Sequence, residues 1–146
     1  MKDTTEVFPL PLIAGYQART MIKESSLKLY EVATVDTRHI KYADGTDPDV
    51  IAHLVGKYPF ETTVYQLVAA SEPLTTYEEL FGDTINVDAN YRRNLAVGDL
   101  YLSRSKTADS ASLEHQSVVD ALREGKLDLL TNKERLAIYG VGETVN

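Results

Sequence analysis

The sequence predicts an α+β fold, built as a small βααβ core with an extended N-terminal arm and a helical C-terminal extension. Three features carry that expectation. Residues 27–35 alternate as a strand does, Asp47-Pro48-Asp49 has the chemistry of a helix start, and the small polar stretch 105–112 precedes an amphipathic helix. The expected division is an arm over 1–25, a core over 26–104 containing the βααβ segment 38–88, and the extension over 105–146.

The arm proper ends at Gly15 and reads as extended, because Pro9 and Pro11 block a helix and favour polyproline or edge-strand geometry. Phe8, Leu10, Leu12 and Ile13 are too apolar for a free tail, and with Tyr16 they are the expected contact residues. Two placements are open: the arm packs on its own domain, or it lies on a neighbouring subunit. Residues 7–14 make a poor signal peptide, with a weakly charged start and no small-residue cleavage site.

Along the core, Leu27, Leu29, Glu31, Ala33 and Val35 fall on one face of the first strand, and Lys28, Tyr30, Val32 and Thr34 on the other. A second short strand is expected at 38–43, closed by Asp44-Gly45. Asp47 caps the helix that follows, Pro48 suits its first position, and Asp49 sits favourably in its first turn; Gly56 and Pro59 bound its end. A second helix is expected over 61–71, burying Val64, Tyr65, Leu67 and Val68 and stopped by Glu72-Pro73. Strands are expected at 84–87 and 100–103, a helix at about 112–124, and a last helix signalled by Thr131 with Glu134 and a glycine cap at Gly140.

Composition removes several classes of function. The chain has 146 residues, long enough to bury about 68–70% of its unfolded surface without covalent staples. It has no cysteine, which excludes disulfides, thiolate metal sites and cysteine nucleophiles. Its apolar runs are too short to cross a bilayer, so no membrane partner is expected. A net charge of −7 argues against nucleic acid, and the sparse cations Arg92, Arg93, Arg104 and Lys106 read as a solvated face or a patch for an acidic protein.

The segment 38–88 resembles a LysM-type module. The resemblance lies in Asp44-Gly45 with Asp47, Ile51-Ala52, Gly56, Ser71-Glu72-Pro73-Leu74, and Gly82-Asp83-Thr84-Ile85. The phrase Asp47-Pro48-Asp49 with Ile51-Ala52 is also similar to LysM-like proteins of contractile phage tails, of the baseplate wedge and tail protein X types. Ser71 stands where glycan-binding members have asparagine, and Tyr65 is all that answers to the tryptophan of the baseplate-type second helix. The resemblance implies a structural subunit of a tail or baseplate, assembled in the host cytoplasm into a virion and partnered by other protein subunits. Its alternative is a peptidoglycan-binding LysM domain, with a glycan groove between Thr46, Asp47, Pro48 and Ser71, Glu72, Pro73, Leu74.

No catalytic, cofactor or metal residues are expected. His39, His53 and His115 have no zincin spacing and read as surface or satisfied core histidines. The acidic phrase 44–49 lacks calcium-loop spacing, and Glu78, Glu79 and Asp83 lack the apolar surroundings that raise a catalytic carboxyl. A small enzyme with an unrecognised site and an acidic host-targeting inhibitor remain as further alternatives.

Overall fold

Strands make up most of the described residues between 6 and 105. A computed structural model describes residues 5–12, 15–25, 28–39, 48–73, 80, 85–94 and 99–127. In chain order the elements are β1 (Glu6–Pro9), β2 (Tyr16–Ser25), β3 (Lys28–Asp36), a 3-10 turn (Thr37–His39), α1 (Pro48–Lys57), β4 (Phe60–Ala69), β5 (Tyr91–Arg93), β6 (Asp99–Ser105) and α2 (Ala108–Arg123). All strand pairings are antiparallel, in the order β1-β2-β3-β4. Beyond β4 the neighbour changes: β6 lies along Phe60–Tyr65, and β5 along Leu67–Ala69.

The two faces of this sheet carry different cores. On one, Ile22, Val32 and Val64, from three adjacent strands, pack beneath Val118, Val119 and Leu122 of α2. On the other, Leu10, Met21, Leu29, Leu67 and Val87 form a second cluster, with Tyr91 at its edge. Each aliphatic chain so buried contributes roughly 1.5–3 kcal/mol of transfer free energy, before the cost of ordering it.

Local chemistry sets the ends of α2. Thr107 and Ser110 make a reciprocal capping box at its start. At its end Gly125 takes a φ of 70°, the Lys126 N–H donates to the Ala121 carbonyl and the Gly125 N–H to that of Leu122. That is a Schellman stop, and the positive φ is why glycine stands there.

The expected βααβ core is not what forms. The described residues form mainly a six-stranded antiparallel sheet, followed by the long helix α2. The first expected helix is present as α1, but the second is strand β4. Its residues, FETTVYQLVA, are rich in β-branched and aromatic types, and β4 runs between neighbours on both edges with apolar cover on both faces. Val64 enters one core and Leu67 the other, so apolar residues occur on both parities and imitate a helical stripe.

The arm is also revised. Its first part is β1, paired to β2 on its own sheet, and residues 16–25 are β2 itself. The segment 38–43 begins as a 3-10 turn at Thr37–His39, and the rest of it lies outside the described residues. The helix expected from 112 starts at 108, because Thr107 and Ser110 cap it within the stretch taken as a linker. Of the expected strand 84–87, Asn86 bridges Arg92 and residue 84 is outside the described residues. Thr131, Glu134 and Gly140 lie outside them too.

Candidate functional site

Glu31 occupies an apolar face of β3 and is fully buried. Its carboxylate is held from both sides: Arg19 Nε donates to Oε2 at 2.8 Å and Arg93 Nε to Oε1 at 2.6 Å. Arg19 also donates to the Pro11 carbonyl at 2.9 Å, and Arg93 to the Tyr16 hydroxyl at 3.2 Å. The Arg93 guanidinium lies 3.9 Å from the centroid of the Tyr65 ring. The belt therefore ties together β2, β3, β4, β5 and the chain just after β1. Burial pushes the Tyr65 phenol well above its ordinary value, though the Arg93 charge pulls the other way. Burial works against the charge on Arg93, but the Glu31 carboxylate together with Tyr65 and Tyr16 more than offsets it and holds the guanidinium protonated. With each Glu31 oxygen accepting from a guanidinium, this carboxylate serves as an anchor.

A second polar line runs under α2. His115, only 6% exposed, meets the Thr20 hydroxyl through Nε2 at 2.9 Å and the Thr34 hydroxyl through Nδ1 at 2.8 Å. Thr34 in turn lies 2.8 Å from the Thr62 hydroxyl. One residue along the helix, Glu114 accepts from Ser103 and from Tyr101. Burial lowers the pKa of His115 and raises that of Tyr101. His115 is a core histidine with both ring nitrogens engaged; the side chains of His39 and His53 lie outside what the structure describes.

Of the cations read as a solvated patch, Lys106 is exposed, but Arg92, Arg93 and Arg104 are interior. Arg92 is 2% exposed and donates to the carbonyls of Ala69, Ala70, Glu72 and Pro73. Arg93 belongs to the Glu31 belt, and Arg104 is buried, donating to Glu61 at 2.7 Å. The signal for the belt was legible as one charged residue at an inward position of an apolar strand. Its partners, 12 and 62 residues away, were not.

The expected contact residues separate. Leu10 is core, and Tyr16 is half-buried and accepts from Arg93. Phe8 and Leu12 are exposed beside Val7, at 37%, 57% and 38% respectively, and Ile13 lies outside the described residues. Of the glycan-groove set, Pro48 is exposed at the start of α1, while Ser71, Glu72 and Pro73 are exposed where the chain leaves β4. Thr46, Asp47 and Leu74 fall outside the described residues. Because β4 is a strand, the two-helix frame that would set these loops opposite one another does not form.

Among the described residues no group of three potential metal ligands converges, and no helix is long and apolar enough to cross a membrane. No protein-family model matches the chain, and no curated protein or solved structure does either.

Proposed function

We propose that this chain works by binding, as a structural subunit of a protein assembly, and that it docks through the exposed apolar side chains of its N-terminal edge strand and the residues just after it. The observation that carries the reading is the exposure of Val7, Phe8 and Leu12 around a buried Leu10. Leu10 fixes the segment to its own sheet, so this surface is preformed and docking does not have to order it. The Leu10 N–H donates inward to the Arg19 carbonyl, so the position of Pro9 that would carry an N–H faces outward. Proline there blunts the edge against strand addition and leaves side-chain contact as the mode of docking.

Charge supports a partner of particular character. Arg19, Arg92, Arg93 and Arg104 are buried, so the surface is more acidic than the overall −7 implies. A partner with an apolar socket and a basic rim fits that surface. A phage tail or baseplate is one assembly of this kind, but the segment that pointed there is not a βααβ unit, so the reading is for a protein assembly in general.

The test is photo-crosslinking from within the native source, with the crosslinker at position 8 or 12 and a control at position 116 on the exposed side of α2. Discrete adducts with one protein from 8 and 12, and none from 116, are expected. Adducts from all three alike, or from none, overturn the proposal. Leu12→Ser, at the more exposed of the two positions, should reduce the adduct partner's co-purification while changing stability by no more than about 0.5 kcal/mol.

A further inference from the structure

We propose that His115 makes the seat of α2 acid-labile: protonating its ring releases the helix from the sheet and uncovers the apolar surface beneath. The ring sits between α2 and three strands, bonded to Thr20 on β2 and Thr34 on β3, with Thr34 bonded on to Thr62 of β4. A neutral imidazole gives a hydrogen at one nitrogen and takes one at the other, which suits this line of hydroxyls in either tautomer. A protonated ring gives at both. One facing hydroxyl must then turn its hydrogen away, in a site where Thr34 is fully buried and Thr62 is 1% exposed.

Among the described residues no carboxylate bonds to the ring. The titratable groups sharing this face are Glu24 on β2, Lys28, Tyr30 and Asp36 on β3, Tyr101 on β6 and Glu114 on α2; β4 brings none to it. Asp36 is held by Arg38, Glu114 accepts from Ser103 and Tyr101, and Glu24 acts on Tyr30. The ring bonds to threonines alone.

The sign follows from burial, which holds the imidazole below its ordinary 6.5. The ring is neutral at pH 7, and the stability it gives is whole above about pH 6.5. Below that the released state takes up a proton that the docked state resists, and the opening equilibrium rises by at most about tenfold per pH unit until the docked ring itself titrates. What opens is the layer of Ile22, Val32 and Val64 under Val118, Val119 and Leu122.

Hydrogen exchange of the full chain, corrected for intrinsic rates, reads this directly. Below about pH 6.5, protection of the α2 amides should fall relative to β3, by at most about tenfold per unit and only until the docked ring itself titrates, and His115→Gln should remove that slope. An equal slope in His115→Gln, or none in the wild type, overturns the proposal. If His115→Gln does not fold, the wild-type ring protons followed by NMR decide it. Titration of the ring together with loss of α2 protection supports release, and titration with α2 still protected overturns it.

Discussion

The two faces of the sheet solve the same problem with different forces. Under α2, aliphatic chains from β2, β3 and β4 meet a helix; a neutral histidine and three threonines lie between them, with the Glu114 carboxylate beside them accepting from Ser103 and Tyr101. Across the sheet, the centre is a carboxylate clamped by two guanidiniums beside tyrosine rings. Losing a member of a neutral hydroxyl line leaves a buried dipole unpaired, whereas losing a member of a buried ion triad leaves a charge unpaired, which costs more.

The largest effect expected is therefore on the charged face. Glu31→Ala strands Arg19 and Arg93 and should lower stability by about 3–5 kcal/mol in denaturant titration. Replacing all three members, Arg19→Met, Glu31→Leu and Arg93→Met, should recover most of that. If the triple replacement is as unstable as the single one, the desolvation account of this face is wrong.

On the aliphatic face, Ile22→Ala should cost about 2–5 kcal/mol, through lost burial and the cavity left under α2. Thermal unfolding in low and high salt tests whether both faces are sealed from solvent. The Ile22→Ala deficit should not depend on salt, and that of Glu31→Ala should change little, since both groups are buried beyond screening. A strong salt dependence in Glu31→Ala would place the triad in contact with solvent.

The smallest effect concerns the helix alone. Thr107→Ala removes the cap of α2 without touching either core and should cost about 0.5–2 kcal/mol. Its exchange signature should be confined to the first turn of α2, leaving the Glu31 belt unchanged. Spread of the effect to β5 would mean that the two faces are coupled through β4.

Legibility in the sequence tracked how local each determinant was. The alternation of Leu29, Glu31, Ala33 and Val35 against Val32 and Thr34 was readable, and it separated the two faces correctly. The start of α1 at Pro48 and a strand after Gly98-Asp99 were readable from turn and cap chemistry a few residues long. The contact strip was readable only as a composition. Whether Leu10 or Leu12 faced the core depended on pairing with β2.

By itself, then, the sequence determined what neighbouring residues settle among themselves: where the strand 27–35 alternates and where a helix can begin. Tertiary structure alone decided that 60–69 is a strand, because a segment buried on both faces loses the two-residue period that would mark it. It also decided that Arg93 and Arg104 are interior anchors, since the carboxylates that neutralise them lie 62 and 43 residues away. A charge can be buried only where its partner is brought to meet it, and that meeting is a property of the fold.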